Sequence, residues 1–215
     1  MEIELRQEKT EDYRTVEELT REAFWNHFGP GCFEHYLVHI MRDSQAFVKE
    51  LDIVALHNDK IVGNIMYTKA FVLGDDGTKR EVLCFGPLAV LPEFQGRGVG
   101  RKLIEYTKAK AKELGYKAIL ITGDPEYYKR AGFVPAENFS IGTSWDTYAA
   151  ALLACELEAG ALDGCSGRFF EDEIYNIDQR PAEEFDKTFP PKEKITGLPT
   201  QARFNQLVNM NRPRT

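Results

Sequence analysis

Between a strand-like run, Val82 to Val90, and a helix-like run, Arg101 to Leu114, stands Gln95-Gly96-Arg97-Gly98-Val99-Gly100. Glycines at alternate positions let the main chain come close to a ligand, and a helix opening behind them leaves unpaired N–H groups aimed forward. The natural occupant of such a cradle is an anion, phosphate above all. Arg97, Arg101 and Lys102 flank it. An arginine fork matches two phosphate oxygens, so Arg97 and Arg101 are candidate ligands, and Lys102 stands between ligand and solvated side chain.

Spacing decides which phosphate motif this is. A Walker A loop requires Gly-x4-Gly-Lys-Ser/Thr, but Gly100 is followed by Arg101-Lys102-Leu103, with no hydroxyl to hold magnesium. A dinucleotide fingerprint requires glycine where Arg101 stands, and no βαβ unit opens the chain. The remaining pattern, Gln-x-x-Gly-x-Gly, resembles the coenzyme A pyrophosphate loop of the GCN5-related N-acetyltransferases, the GNAT superfamily. Two further runs resemble the family where it would place them. Leu83-Cys84-Phe85-Gly86-Pro87-Leu88-Ala89-Val90 is similar to its fourth strand, and Tyr127-Tyr128-Lys129-Arg130-Ala131-Gly132-Phe133 to its Tyr-x3-Gly-Phe signature. The run from Gly123 to Phe133, with the C-terminal extension, resembles the YhbS-like bacterial subgroup.

The resemblance implies an α/β (α+β) GNAT acyl-CoA N-acyltransferase fold, a mixed and mostly antiparallel central sheet flanked by helices. It implies a domain over residues 1–157, with 158–215 a C-terminal extension packing on the core or on a partner subunit. Acetyl-CoA is the implied co-substrate, with no metal. Main-chain groups of Leu88, Ala89 and Val90 would hold the pantetheine arm, and Gln95, Gly96, Arg97, Gly98, Val99, Gly100 and Arg101 the phosphates. Tyr128 would act on the leaving sulfur: a phenol of reference pKa about 10 stays protonated at neutral pH and can donate to a thiolate. The attacking amine must also lose a proton. Some relatives carry a glutamate within the fourth strand, but here only Glu81 stands near its start. Glu34 and His35, after the Gly29-Pro30-Gly31 turn, and Asp124, at the end of the next strand, are the candidates for that role. Each has an alternative reading as a surface, capping or turn residue.

Composition agrees with such an enzyme. A chain of 215 residues with 43% apolar content can bury a full core and have material left over. A net charge of -7 argues against a general nucleic-acid binder and suits a cationic amine. Met1 to Arg6 has no apolar leader core and no run reaches membrane-spanning length, so a cytoplasmic protein is expected. Cys32, Cys84, Cys155 and Cys165 show no Cys-x2-Cys spacing, and reduced thiols are expected. Cys84 lies in the acyl-binding strand, where a buried thiol is the plainer reading and a covalent acyl carrier the other. His35 and His39 have the spacing of two metal ligands on one helix face but lack a third.

The elements that must position these groups can be laid out from patterning. Ile3 to Arg6 alternates as a strand; Thr10 is placed to cap a helix running to about Phe24, with Val16, Leu19 and Ala23 on one face. A second helix spans about Phe33 to Arg42. Ile53 to Leu56 and Ile61 to Val72 form a hairpin across Asn58-Asp59-Lys60, and Gly74-Asp75-Asp76-Gly77 turns into the fourth strand. Lys117 to Thr122 is a short buried strand, and Lys108, Lys110 and Lys112 form a solvated helix face. Tyr148 to Leu157 has the alanine content of a helix, but the family closes its sheet here, so a strand is expected. Past Leu157, Phe169, Phe170, Tyr175, Phe185, Phe189 and Phe204 argue against disorder, and Phe204, Leu207 and Val208 fit one helix face.

Three functions fit. The first is an N-acetyltransferase acting on a primary amine, of a small molecule or of a protein, by direct attack in a ternary complex. The others are a non-catalytic acyl-CoA sensor and an interaction module whose glycine loop is only a turn; the extension also allows a homodimer.

Overall fold

The computed structural model describes residues 1–214 and has the expected mixed, mostly antiparallel sheet flanked by helices. In chain order the strands are β1 (Glu4–Gln7), β2 (Ile53–His57), β3 (Lys60–Gly74), β4 (Lys79–Val90), β5 (Ala118–Thr122), β6 (Val134–Pro135), β7 (Ile141–Gly142), β8 (Thr147–Ala149), β9 (Leu152–Glu156), β10 (Gly167–Phe170) and β11 (Asn211–Pro213). The helices are α1 (Tyr13–Phe24), α2 (Glu34–Met41), α3 (Val99–Glu113), α4 (Pro125–Tyr128), α5 (Gln179–Asp186) and α6 (Pro199–Val208).

The main path of the sheet runs β1-β2-β3-β4-β5-β9-β6, antiparallel along it except where β4 meets β5, and off this path β7 joins β10 in parallel. The β2–β3 hairpin turns at Asn58 and Asp59, both left-handed (φ 48° and 61°), the twist that matches two paired strands. β10, from the segment after Leu157, pairs with the far half of β3, from Gly167↔Gly74 to Phe170↔Phe71, so the extension supplies a strand of this sheet. The alanine-rich run, expected as one strand, is divided: Tyr148 and Ala149 end β8, which pairs with β11 in a second sheet, Ala150 and Ala151 turn, and Leu152–Glu156 closes the main sheet as β9, with Leu152 to Cys155 buried.

One face of the sheet, with Ile65, Tyr67, Leu83, Phe85, Ile119 and Ile121, packs against Val99, Leu103 and Ile104 of α3. A buried bond between the Tyr67 hydroxyl and Thr107 Oγ1 (2.8 Å) fixes α3 on β3. The opposite face carries Val72, Val82, Cys84, Leu120 and Phe169, and beside it Met66 packs on Leu37, Val38 and Met41 of α2. The start of α1 differs from expectation. Thr10 opens a short 3-10 turn, and Asp12 anchors it by accepting from Lys9 N (2.9 Å) and from both arms of Arg6 (2.6 and 3.0 Å). A carboxylate that can accept three bonds displaces a hydroxyl that offers one.

Beneath α1 and α2 lies a buried charged cluster. Arg42 donates to both oxygens of Glu8 (2.9 and 2.8 Å) and to Glu17 (3.1 Å), while Asn64 donates to Asp52 (2.9 Å). Burial first, and Glu8 second, push the Asp52 carboxyl up to about 9. An acid whose folded pKa lies above its unfolded value of about 3.9 stabilises the fold most at low pH, and that contribution is lost as pH rises toward 9. Asp52→Asn keeps the acceptor for Asn64 and supplies the proton permanently. Its denaturation midpoint is therefore expected to fall less than the wild type's between pH 5 and 9; parallel curves in urea would refute a shared proton.

Candidate active site

β4 and β5 meet in a single parallel register, Leu83↔Ile119. Beyond it β4 stays on β3 through Leu88↔Ile65, Ala89↔Asn64 and Gly63↔Val90, while no further pair joins it to β5. From Gly86 to Val90 the β4 edge that faces β5 thus has no strand partner. The ladder between β3 and β4 shifts register opposite Gly86-Pro87, where proline has no N–H to give. The opening therefore lies alongside Leu88, Ala89 and Val90, the positions expected to hold a pantetheine arm.

The glycine segment stands at the end of that opening. Gln95 turns back and donates from Nε2 to Val90 O (2.9 Å), which ties the loop to the last residue of β4. Gly96 (φ 69°) and Gly98 (φ 86°) are left-handed, and a Cβ on either would meet nothing within 4 Å. Glycine is required there by backbone conformation, and open space lies in front of it. Gly98 caps α3, so the first N–H groups of that helix face the same space. Gly100 differs: a Cβ there would collide with the Tyr127 hydroxyl, which rests on the helix start. Arg97 is exposed, with its guanidinium 5.9 Å from the Phe94 ring centre and no ion pair among the described residues. Arg101 is exposed and paired with Glu105 (2.6 Å), an i,i+4 contact that an anion at the cradle would have to break. Lys102 is also exposed.

Asp124 caps α4 by accepting from Glu126 N (2.9 Å), and Pro125 supplies the first helical residue, so the last residue, Tyr128, returns to the sheet. Its ring lies against Phe85 of β4 and Phe133 (centroids 5.8 Å each). A Cβ at Gly123 would run into that ring, so the glycine at the end of β5 makes room for it. Lys108, expected to be solvated, instead donates to Ala131 O (2.8 Å) and holds this segment onto α3. Burial, then Tyr127 and Cys84, push the Tyr128 phenol well above its usual value. Its hydroxyl makes no hydrogen bond among the described residues. Cys84 is buried and its thiol pushed up in the same way, which disfavours a thiolate.

The three candidate proton acceptors all carry other bonds. Glu34 folds back on the start of its own helix, accepting from Phe33 N (3.0 Å), and burial pushes its carboxyl up. His35 is sealed, with Phe185 stacked on it (5.6 Å) and Phe189 edge-on (5.1 Å), and burial pushes it down to about 4. Cys32 Sγ lies 3.4 Å from its Nδ1 and Asp186 Oδ1 lies 3.1 Å from its Nε2, but Arg21 already holds that aspartate (2.6 Å). His39 bonds Glu17 (2.9 Å), so the two histidines do not converge. Asp124 accepts both arms of Arg203 (2.9 and 3.0 Å), which hold its carboxyl below the usual range.

Arg203 belongs to α6, and α6 does more. Gln201 donates to Asn26 O and Ile195 O (2.9 Å each), and Phe204 packs on Phe28 (4.8 Å). The helix therefore bridges the α1–α2 loop and the start of α4. Sequence reasoning placed this helix but not its contacts, and it missed Tyr127, Gly123 and Tyr175. The Tyr175 hydroxyl donates to Gly86 O (3.2 Å).

Comparison with known proteins agrees with this geometry. Residues 44–135, from before β2 to β6, match the acetyltransferase (GNAT) domain. The uncharacterised N-acetyltransferase YjhQ of Escherichia coli K12 is 34% identical over 100 residues, 46% of this chain and 54% of YjhQ, so the match spans about half of that relative. The uncharacterised N-acetyltransferase YhbS of the same strain is 28% identical over 144 residues, 66% of this chain and 83% of YhbS. The crystal structure of Escherichia coli YhbS in complex with CoA superposes with a TM-score of 0.72 at 26% identity, covering 81% of this chain and 92% of that one. A Brucella melitensis GNAT family acetyltransferase, solved with acetyl-CoA, shares the fold (TM-score 0.65, 22% identity, 81% and 98% covered). In its cradle, its parted strands and its fold, the chain is similar to the GNAT N-acetyltransferases and, among them, to YhbS.

Proposed function

We propose that the protein transfers an acetyl group from acetyl-CoA to a primary amine by direct attack in a ternary complex. The observation that carries this is the continuity of two features, a β4 edge without a strand partner from Gly86 to Val90 and a cradle of left-handed glycines tied to its end by Gln95. The coenzyme bound by YhbS and by the Brucella relative supports the same ligand here. Leu88, Ala89 and Val90 offer main-chain groups to the pantetheine arm, and the N–H groups from Gly96 to Gly100 receive the pyrophosphate. Arg97 is free to add charge, and Arg101 joins when it leaves Glu105.

Each residue then has a task. Main-chain N–H groups along the opened β4 polarise the thioester carbonyl. Tyr128, held protonated by its surroundings, donates to the sulfur as the carbon–sulfur bond breaks.

The first test is thermal unfolding with acetyl-CoA, CoA and ATP in parallel. A ligand at 100 times its dissociation constant stabilises by about 2.7 kcal/mol, which both CoA species are expected to reach and ATP not. No shift with either CoA species in folded protein would leave the cradle as a turn and favour an interaction module. A shift without acetyl transfer to any amine would favour a sensor.

A further inference from the structure

Opposite Met66 the ladder between β3 and β4 sets two residues against one: Tyr67↔Phe85 and Ile65↔Leu88 are paired, and Gly86 and Pro87 stand between them. An inserted residue moves the alternation along by one, so beyond it each main-chain N–H of β4 faces the side it would otherwise have turned from. This bulge therefore decides which N–H groups from Leu88 to Val90 point to the edge that has no strand partner. A bulge also takes polar groups out of the ladder, and Gly86 O finds its donor elsewhere.

That donor comes from the segment after Leu157. Asp172 accepts from Ile174 N (3.0 Å) and turns the chain into a short 3-10 segment, Glu173–Tyr175. Ile174, Tyr175 and Ile177 pack on Met66 and on Leu37, Val38 and Met41 of α2. The Tyr175 ring is thereby set over Gly86, its Cε1 3.8 Å from where a side chain there would begin. Its hydroxyl donates to Gly86 O (3.2 Å) and accepts from Thr68 Oγ1 (3.3 Å). Thr68 is fully buried and stands opposite Cys84, two residues before Gly86. Hydrogen bonds in series strengthen one another, so the phenol ties β3 to the bulge of β4. Burial first, and Cys84 second, push that phenol well above its usual value, so it remains a donor at neutral pH.

We infer that Tyr175 is a positioning residue for acetyl transfer: by holding the Gly86 carbonyl it keeps the β4 bulge in one arrangement, and with it the main-chain N–H that polarises the thioester carbonyl. This rests on the acetyl-transfer reading. The phenol acts through β4 from the face that carries α2, while Tyr128 lies on the other face against Phe85.

The test compares Tyr175→Phe, which keeps the ring and removes the hydroxyl, with Ile174→Ala, which loosens the same turn and leaves the hydroxyl. Calorimetry measures affinity for CoA and acetyl-CoA, and CoA release with spermidine, glucosamine and lysine methyl ester measures turnover. Infrared difference spectra with isotope-labelled acetyl-CoA report the bound thioester carbonyl. Tyr175→Phe is expected to keep both affinities within about twofold and to lose about tenfold in kcat, the worth of one neutral hydrogen bond. KM for acetyl-CoA is expected to hold, and the carbonyl band to return toward its position in water. Ile174→Ala is expected to lower the unfolding temperature and to leave kcat and the band as in wild type. Unchanged kcat and band in Tyr175→Phe would overturn the inference, and so would equal losses in Ile174→Ala, since packing would then account for them. Should Tyr175→Phe not fold, Thr68→Val decides, because it removes the donor behind the phenol: the same changes are expected, at about threefold in kcat, and no change overturns the inference. A wild type that acetyl-CoA does not bind, or that binds it and acetylates none of the three amines, would sink the acetyl-transfer reading and this inference with it.

Discussion

Gly98→Val is expected to lose acetyl-CoA binding by at least 100-fold while the protein remains folded. Gly98 stands at φ 86°, and its missing Cβ faces open space, so the substitution acts in two separable ways. A branched side chain in the left-handed region costs about 1–2 kcal/mol of conformational strain. It also occupies the volume in front of the first N–H groups of α3. Losing two hydrogen bonds to a charged group, at about 1.5–3 kcal/mol each, corresponds to a loss of about 10²–10⁴ in affinity. Calorimetric titration with acetyl-CoA measures the second effect, and unfolding without ligand measures the first. Equal affinity in the variant and wild type would remove the cradle from the site.

Tyr128→Phe is expected to separate chemistry from binding. The ring keeps its packing on Phe85 and Phe133, and the hydroxyl it loses has no hydrogen-bond partner among the described residues, so stability should change little. Coenzyme affinity should hold, whereas kcat with a primary amine should fall by about 10²–10⁴, the range for losing a positioned acid. The fall should shrink when the leaving thiol is made more acidic, because a better leaving group needs less help. A kcat within a factor of two of wild type would leave Tyr128 as a packing residue.

The coenzyme half of the site is legible in the sequence because backbone conformation sets it. Left-handed glycines at 96 and 98 and a glutamine that reaches back five residues are local features, and spacing alone exposes them. Tyr128 is legible for the same reason, through its distance from Gly132. The acceptor half is not. Arg203 reaches its position through an ion pair to Asp124, and it has no local pattern. Asp124 illustrates the difficulty: its cap on α4 could be read from Asp-Pro, but its partner lies 79 residues further on. The alanine-rich strand β9 was recoverable only through family resemblance, since its neighbours β5 and β6 decide its state.

The same contrast bears on the order in which the molecule can be assembled. Gln95 closes on Val90 across five residues, whereas Gln201 reaches Asn26 across 175 and Arg14 reaches Thr188 across 174. A chain leaving the ribosome N-terminus first can shape its cradle as soon as α3 has emerged. The wall made by α6 cannot exist until residues 199–208 are free to fold back on the α1–α2 loop. Every nascent molecule therefore passes through a period in which the coenzyme side can be built and the acceptor side cannot, and acetyl transfer waits on the last contacts to form.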